Sequence, residues 1–385
     1  MKNVHSYGDS PLFQPLVLGD LRLRNRIVMS PMSRNRARAD DLPTALMATY
    51  YTQRASAGLI ISESAQVSPQ GKGYRNSPGI YAADQVAAWK TVVDGVHAAG
   101  GVMFLQLWHA GRSSHPDLQP DGGMPVGPSA IRPAVEVFTD AGLKAAPTPR
   151  ALELREIPVV IEQYRQAARN ALAAGFDGVE IHAGNGFLLD QFLRDGANRR
   201  QDAYGGSIAN RTRLLLEIVS AVGTIWPSHR VGVRVSPTAT YGDIVDSDPG
   251  ALYGHLVREL NRFRLAYLHI TEGELLSTRE SPGMDFSALR EAFDGVVISN
   301  NCYGFQDAED VVRSGSVGMV SFGRPYIANP DLVERLRRGV ALSDFDPSTL
   351  HDGGARGYTD YPPIDQPPIA QPQTVSPQID MTDNG

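Results

Sequence analysis

A histidine and an asparagine three residues apart, His182 and Asn185, are the side chains of this chain best spaced for chemistry. They come after a short apolar run, residues 178–181, which is bounded by glycine and is typical of a buried parallel strand. Two neutral hydrogen-bonding groups just past a strand end lie where α/β proteins bind ligands, and together they can hold one carbonyl oxygen. The alternative interpretation is that both residues only cap the helix that follows.

The composition narrows the class of protein. With a net charge of −6 over 385 residues, the chain lacks the basic surface that binds nucleic acids or anionic membranes. Its single cysteine, Cys302, excludes an internal disulfide and a cysteine-based metal cluster, and it agrees with a reducing cytosol. The N-terminal residues form no signal-peptide core, and no apolar run is long enough to cross a membrane. We therefore expect a soluble cytoplasmic protein that acts on small molecules.

Apolar runs of strand length alternate with amphipathic helical patterns along most of the chain. Eight such strand–helix units predict a (β/α)8 TIM barrel, and the alternating segment at residues 16–26 predicts a hairpin that closes its bottom. An open doubly wound sheet is the second choice, but no Gly-x-Gly-x-x-Gly follows the first strand. The predicted strands are residues 27–29, 59–62, 102–107, 178–181, 231–235, 267–270, 296–299 and 319–322.

Residues 110–157, after the third strand, interrupt this alternation with a stretch rich in proline and glycine. A segment this long inside a compact domain is usually a lid or a binding insertion, and an extended pair is predicted within it around residues 135–145. We expect one domain over residues 1–365, with the insertion capping the barrel mouth. Residues 366–385, in which proline and glutamine dominate, are predicted to be a disordered tail.

The residues at the predicted strand ends are mostly neutral and polar, which matters because chemistry in such barrels lies at the carboxyl ends of the strands. No metal site is predicted, since the acidic run Asp243, Asp246 and Asp248 fits a solvated loop and a helix N-cap better. Glu63 and Glu272 are the only pair of strand-end carboxylates that a glycosidase could use, and no Gly-x-Ser-x-Gly nucleophile motif is present.

This set of groups suits a neutral heteroaromatic cofactor that carries a phosphate. Gln106 can pair with the amide edge of a ring, and Arg234 can place positive charge beside a ring that becomes anionic on reduction. Gly323 and Arg324 follow the last strand, where barrels commonly bind phosphate. The alternative for Arg234 is a surface or salt-bridged arginine, although it interrupts the strand VGVRV.

Several segments together resemble the Old Yellow Enzyme family, in register from about residue 11 to residue 362. They include PLVLGDLRLRNRIVMSPMSRNRA, FLQLWHAGRSSHP, GFDGVEIHAGNGFLLDQFL, RRQDAYGGSIANRTRLLLEIV, FGRPYIANPDLVERL and GYTDYP. The resemblance implies a TIM barrel with non-covalent FMN and with NADPH or NADH as the hydride donor. It further implies reduction of electron-poor alkenes, either α,β-unsaturated carbonyl or nitro compounds, by hydride transfer from flavin N5. The resemblance is also compatible with a homo-oligomer.

The resemblance also implies roles for individual residues. His182 and Asn185 match the pair that holds the substrate oxygen, Ser33 stands near flavin O4, and Arg234 lies by N1 and O2. The isoalloxazine would be lined by Pro31, Met32, Ser64 and Gln106, and the phosphate by Asn300, Asn301, Gly323 and Arg324. The pocket walls would be Tyr74 and Trp108, with Arg132 in the capping loop where the nicotinamide cofactor and the substrate enter.

Two departures from the family pattern concern the proton that completes alkene reduction. Phe187 stands where the family usually has the tyrosine that protonates the α-carbon, and phenylalanine has no exchangeable proton. Leu350 and His351 replace a Phe-Tyr pair near the C-terminus. Our hypothesis is that His351 supplies or relays the proton, because an imidazole titrates near neutral pH. The alternative is that His351 only fills the volume of the missing tyrosine while water delivers the proton.

The missing tyrosine leaves two other functions open. If protonation is slow, hydride transfer can reverse, and the net reaction becomes a redox-neutral isomerisation or a desaturation. A flavin-binding barrel without turnover is the third interpretation, and it differs from an enzyme in that NADPH does not bleach its flavin.

Overall fold

The computed structural model describes residues 9–275, 277–281 and 283–364. The tail predicted at 366–385 lies outside these residues. The strands are β1 (Leu16–Leu18), β2 (Leu21–Leu23), β3 (Ile27–Met29), β4 (Leu59–Gln66), β5 (Met103–Trp108), β6 (Val126–Gly127), β7 (Glu136–Thr139), β8 (Gly142–Ala145), β9 (Arg150–Ala151), β10 (Gly178–His182), β11 (Val231–Val235), β12 (Tyr267–Thr271), β13 (Val296–Asn300) and β14 (Met319–Phe322). The α-helices are α1 (Ala45–Gln53), α2 (Ala83–Ala98), α3 (Ile157–Ala173), α4 (Leu188–Leu193), α5 (Ile208–Gly223), α6 (Pro249–Asn261), α7 (Phe286–Glu291), α8 (Phe305–Arg313), α9 (Arg324–Ala328) and α10 (Leu332–Arg338).

Eight parallel strands close into a barrel in the order β3-β4-β5-β10-β11-β12-β13-β14, and helices follow them as in a (β/α)8 fold. The predicted barrel is therefore confirmed, as is the antiparallel hairpin β1–β2 before it. The short helices α4 and α9 were not predicted, because one or two turns carry too little periodicity to be recognised. None of the helices in the described ranges is long and apolar enough to span a membrane.

The second barrel strand differs most from its prediction, because β4 continues to Gln66 instead of ending at Ser62. Its pairing with β5 shifts register between Ile61 and Ser64. Regular alternation from Ile61 would turn residue 63 into the barrel, but the shift turns Ser64 inward instead. The irregularity therefore decides which polar side chain of this strand reaches the interior.

Helix α5 illustrates how local sequence fixes the outer layer of the barrel. The Ser207 side chain accepts a hydrogen bond from the backbone N–H of Asn210 and so caps the helix at its start. The apolar stripe of this helix then faces inward and is buried: Leu214, Leu215, Ile218 and Val222. The cap sets the start of the helix at Ile208.

The lower half of the barrel interior is apolar and combines large with absent side chains. Phe104 and Tyr267 fill it with ring centroids 5.8 Å apart. A Cβ atom added at Gly178 would lie 2.4 Å from the Phe104 ring, and one added at Gly232 would lie 2.3 Å from the Tyr267 ring. Glycine is therefore required at both positions, and the hairpin leucines Leu18 and Leu23 pack against this layer from below.

The segment after β5 forms a cap, as predicted. It contains the antiparallel hairpin β7–β8 and the short parallel pair β6–β9. The guanidinium of Arg112, which is 2% exposed, donates to the carbonyl of Gly242 at 3.0 Å and to the carboxylate of Asp243 at 3.2 Å. These bonds connect the cap to the loop that follows β11.

Candidate active site

Strand β10 ends at His182, whose imidazole is buried with 3% exposure. The backbone N–H of Gly184 donates to its Nδ1 at 3.4 Å, so the neutral ring carries its proton on Nε2 and can donate from there. Burial, followed by the positive charge of Arg234 and the neighbouring His269, holds the pKa of His182 well below its usual value. His182 is therefore a neutral donor at neutral pH.

Asn185 occupies the turn between β10 and α4 with a left-handed φ of 57°. The Ser236 hydroxyl accepts a hydrogen bond from its backbone N–H at 2.5 Å, which fixes the turn. Its Oδ1 atom is buried and has no hydrogen-bond partner among the described residues. Helix α4 begins after Phe187 with no side-chain cap, so the structure does not use this pair as a helix cap. A buried orphan polar atom next to a neutral imidazole indicates a place for a ligand.

Phe187 lies at the centre of an aromatic wall beside these two residues. Its ring centroid is 5.1 Å from that of Trp108 and 5.2 Å from that of His182, in edge-on arrangements. Tyr74 stacks on Trp108 at 5.5 Å, so the two predicted wall residues are in contact.

Tyr241, in the loop after β11, belongs to the same wall and was missed in the sequence. Its ring lies 6.4 Å from that of Phe187, and its side chain is hydrogen-bonded to that of Tyr74. Burial raises the pKa of both phenols, while the bond from Tyr74 partly lowers that of Tyr241. Only its place six residues beyond a barrel strand could have marked it.

A layer of polar side chains crosses the barrel interior directly above the apolar layer. It lies two residues further along most strands, so the strand period of two puts both layers on the inner face. All eight barrel strands contribute, either from the strand or from the residue after it. We call these residues the polar layer: Ser30, Ser64, Gln106, Glu180, Arg234, His269, Thr271, Asn300 and Ser321.

One side of the polar layer is organised around Gln106. The Ser64 hydroxyl donates to Gln106 Oε1 at 2.5 Å, and Gln106 Nε2 donates to Glu180 Oε1 at 2.7 Å. The other carboxylate oxygen of Glu180 is 2.8 Å from His269 Nδ1. Glu180 and His269 were not singled out in the sequence, since each is hidden inside an apolar strand pattern.

The other side is organised around Arg234, which is buried inside the barrel with 6% exposure and does not lie on the surface. Its guanidinium donates to the Thr271 hydroxyl at 3.2 Å and to Asn300 Oδ1 at 3.1 Å. Asn300 Nδ2 in turn donates to the Ser30 hydroxyl at 2.9 Å. The positive charge of Arg234 therefore faces the barrel mouth from a fixed position.

The residues predicted for the phosphate lie at the ends of β13 and β14. Gly323 lies against Met32, since a Cβ added there would be 3.4 Å from the Met32 sulfur. Asn301 has a φ of 98°, and its side chain donates to backbone carbonyls of the loop after β12. Because the side chains of Asn300 and Asn301 both bind protein groups, only their backbone is left for a phosphate.

The remaining predicted residues lie around the rim. Pro31, Met32 and Ser33 are half-buried after β3. His351 is exposed on the C-terminal segment, where it is hydrogen-bonded to the Ser33 backbone and its ring is 6.2 Å from that of Phe138.

Arg132 lies on the cap rather than in the aromatic wall. It is exposed and donates to the Ala146 carbonyl at 2.9 Å. It lines a cavity of about 540 Å³ together with residues of the cap and Asp243.

These groups fit a flavin better than a metal. No group of three His, Cys, Asp or Glu side chains that could hold a metal ion occurs among residues 9–275, 277–281 and 283–364. The mouth instead offers an amide, hydroxyls and a buried guanidinium beneath an aromatic wall, which are the groups that bind a neutral ring and stabilise its reduced, anionic form.

Comparisons with known proteins agree with this fit. A family model described as NADH:flavin oxidoreductase / NADH oxidase matches residues 11–343. The 12-oxophytodienoate reductase 7 of Oryza sativa subsp. japonica is 43% identical over 378 residues, which cover 93% of this chain and 95% of that protein. The solved structure of morphinone reductase in complex with tetrahydroNAD has a TM-score of 0.88 at 47% identity, covering 92% of this chain and 98% of its own. An old yellow enzyme homologue from Zymomonas mobilis has a TM-score of 0.88 at 40% identity, covering 91% and 99%.

The resemblance recognised in the sequence is confirmed by these matches, which extend over nearly the whole of each protein. FMN is the cofactor and NAD(P)H the hydride donor. This chain belongs to the NADH:flavin oxidoreductase / NADH oxidase family, as an Old Yellow Enzyme-type oxidoreductase that reduces the C=C bond of activated alkenes.

Proposed function

We propose that the substrate is an alkene conjugated to a ketone, and that His182 and Asn185 together hold its oxygen. The observation that carries this proposal is the pair of neutral groups at the end of β10, a buried imidazole with Nε2–H free to donate and a carboxamide whose Nδ2–H can donate beside it. Neutral donors stabilise the negative charge that develops on a carbonyl oxygen when hydride reaches the β-carbon. The names of the relatives, 12-oxophytodienoate reductase and morphinone reductase, support an oxo compound over a nitro compound.

Bound FMN would supply the hydride chemistry that links NAD(P)H to the alkene. In our proposal Gln106 and Ser64 hold the amide edge of the ring, and Arg234 supplies positive charge beneath it. Pro31, Met32 and Ser33 border the ring, while the backbone at Asn300, Asn301 and Gly323 and the side chain of Arg324 hold the phosphate. Trp108 and Tyr74 exclude water from the substrate, and Arg132 lies at the rim where NAD(P)H and substrate pass the cap.

The proton for the α-carbon is the open step, since Phe187 cannot supply it. Although His351 as a whole is exposed, partial desolvation of its ring and the charges of Arg34 and Arg36 lower its pKa, so its imidazole is uncharged near neutral pH and is a weak acid. This favours the space-filling role for His351. We assign the proton to the Tyr241 hydroxyl, which lies beside Phe187. Its O–H bond breaks as the C–H bond forms, the hydrogen bond from Tyr74 stabilises the phenolate, and solvent returns the proton.

A second candidate function is redox-neutral isomerisation or desaturation of an enone. The observation in its favour is the absence of the tyrosine at Phe187, because slow protonation lets hydride transfer reverse.

We also propose a cytoplasmic location, which the single cysteine and the net charge of −6 support.

The test is anaerobic reduction of the FMN-loaded protein with NADPH, followed by mixing with an enone in heavy water. Net reduction gives one deuterium at the α-carbon and restores the yellow flavin, whereas isomerisation needs no stoichiometric NADPH.

His182→Ala and Asn185→Ala should each slow flavin reoxidation by roughly 10²-fold, the effect of losing one donor to a developing oxyanion. His97→Ala, on an exposed face, is the matched control and should change nothing. Full activity in both site variants would contradict the proposal.

A further inference from the structure

Glu180 is a buried carboxylate that the proposed reaction does not use. It lies on β10 two residues before His182 and is fully buried inside the barrel. Placing a carboxylate there costs free energy unless several donors satisfy it. Although burial disfavours the charged form, the hydrogen bond from His269, the positive charge of Arg234 and the hydrogen bond from Gln106 outweigh it and hold the pKa of Glu180 below its usual value. Its charge is therefore kept.

The hydrogen bonds on one side of Glu180 all point towards it. A carboxylate can only accept, so Gln106 must turn its Nε2 towards Glu180, at 2.7 Å. Its Oε1 then faces the Ser64 hydroxyl, which donates to it at 2.5 Å. The orientation of the Gln106 carboxamide is thus set by the carboxylate behind it.

The hydrogen bonds on the other side of Glu180 also lead towards its carboxylate. Arg234 can only donate, so Asn300 turns Oδ1 to it and Nδ2 to the Ser30 hydroxyl. Glu180 can only accept, so His269 Nδ1 donates to it at 2.8 Å. In a neutral ring Nε2 then accepts from the Ser321 hydroxyl at 2.8 Å, and Ser321 accepts from Ser30 at 3.0 Å. Burial lowers the pKa of His269, in agreement with a neutral ring.

We propose that Glu180 is a positioning residue for the flavin. Both chains of hydrogen bonds in the polar layer end at Glu180, which holds the Gln106 carboxamide in one orientation. Its fixed negative charge lowers the reduction potential of the flavin ring above. A negative charge disfavours the uptake of electrons nearby, and low dielectric strengthens the effect. This inference rests on the proposed placement of FMN over Gln106 and Arg234. Arg234 opposes the charge effect, so the two residues together set the potential.

The test is the two-electron reduction potential of bound FMN, followed by its visible spectrum under a redox dye. Glu180→Gln keeps the shape and removes the charge, so its potential should become more positive than that of the native protein. Glu180→Asp keeps the charge and should retain a near-native potential. Both variants disturb the contact to Gln106, so the dissociation constant of FMN should rise roughly tenfold, as expected for one buried hydrogen bond.

Glu63 provides the matched control. It is equally buried on β4, but it accepts from the Arg34 backbone N–H and the Tyr51 hydroxyl, outside the polar layer. Burial raises the pKa of Glu63 to about 7, so the potentials are compared at about pH 9, where both carboxylates are charged. Glu63→Gln should leave the potential unchanged. An E180Q protein that binds FMN at the native potential would overturn the proposal, even if it were less stable, because loss of stability alone means a structural role. A native protein that does not bind FMN would contradict the proposed placement instead.

A second variant covers the case in which E180Q does not fold. Glu180→Ser removes the charge with a smaller side chain that leaves room for water between Gln106 and His269. Its potential should also be more positive than the native one. A native potential in E180S would overturn the proposal.

Discussion

The neutral state in which the protein holds His182 suits the role proposed for this residue. A buried imidazolium beside Arg234 would place two positive charges together in a site of low dielectric, whereas the neutral ring avoids this and still has one N–H to donate. Asn185 adds a second uncharged group through a turn that only a small or amide side chain adopts easily. Both groups can therefore bind a neutral ketone before reaction and strengthen their hydrogen bonds as charge develops.

The proton source can be decided by two single variants. Tyr241→Phe should slow flavin reoxidation by an enone by roughly 10²-fold, the usual contribution of a positioned acid, while His351→Phe should leave the rate near native. Stopped-flow measurements in water and in heavy water check this, with a solvent isotope effect expected only where a proton moves in the slow step. Loss of rate in H351F alone would restore the histidine as the donor. Native rates in both variants would assign the proton to water.

A second residue-scale prediction concerns acid stability. Burial lowers the pKa of His109 to about 3, while an exposed histidine in the unfolded chain titrates near 6.5. Below pH 6.5 the unfolded chain therefore binds a proton that the native state does not, so this stability is complete above pH 6.5 and is lost as the pH falls. The loss at pH 5.5 is about 1.4 kcal/mol.

His109→Gln removes this linkage. Denaturant unfolding at pH 7.5 and 5.5 should show that the native protein loses about 1.4 kcal/mol more than the variant. His255→Gln, at a half-buried position on α6, serves as the control and should keep the native pH dependence. Parallel losses in H109Q and the native protein would show that His109 does not carry the effect.

At the scale of elements, two arginines after β3 hold the C-terminal segment, residues 349–358, over the rim. Arg36 donates to the carbonyls of Thr349 and Leu350 at 2.7 and 2.9 Å, and Arg34 donates to Leu350 and Gly357 at 2.9 and 2.8 Å. Both guanidinium groups are buried, so these bonds satisfy charges as well as carbonyls. The position of His351 follows from this clamp, because it lies within the clamped segment.

Arg36→Lys should release this segment, since an ammonium cannot reproduce the fork of five donors. We expect a loss of about 2 kcal/mol in the free energy of unfolding and faster proteolysis near residues 349–358. Limited proteolysis followed by mass spectrometry measures the second effect. Arg38→Lys, on the same loop but exposed and paired only with Asp40, is the control. Equal cleavage in R36K and R38K would contradict a clamping role.

At the scale of the whole molecule, the barrel is divided into an apolar lower layer and a polar upper layer. The lower layer excludes water through the fit of Phe104 and Tyr267 against Gly178 and Gly232. The upper layer gathers amide, hydroxyl, imidazole and guanidinium groups from all eight strands. A rigid floor beneath the polar layer keeps its hydrogen bonds at fixed lengths, which a positioned cofactor requires.

Gly232→Ala tests this floor. Its new Cβ would lie 2.3 Å from the Tyr267 ring, and overpacking of this kind costs about 1–3 kcal/mol in denaturant unfolding. A second substitution, Tyr267→Leu, should recover part of the loss by making room. Gly223→Ala, at the end of α5 with open space around it, should cost nothing measurable. A native stability for G232A would mean that the floor can yield.

Much of the fold and part of the site could be predicted from residue patterns. Apolar runs such as residues 178–181 and 231–235 predicted strands, because a strand that is buried on both faces is apolar along most of its length. The strand-end positions then placed Gln106, Arg234, His182 and Asn185 at one mouth, because parallel strands all end on the same side. Tyr241 could not be found this way, since its loop has no motif.

The sequence by itself determined the barrel, the cofactor class and the His-x-x-Asn pair, because these depend on period, strand order and local residue types. Only the tertiary structure decided the direction of the hydrogen bonds, the neutral state of His182 and the contact between Glu180 and His269. The physical reason is that protonation and hydrogen-bond direction depend on which groups meet across the barrel interior. The Gln106–Glu180 and Glu180–His269 contacts join residues that are 74 and 89 positions apart in the sequence. No local sequence pattern links residues that far apart.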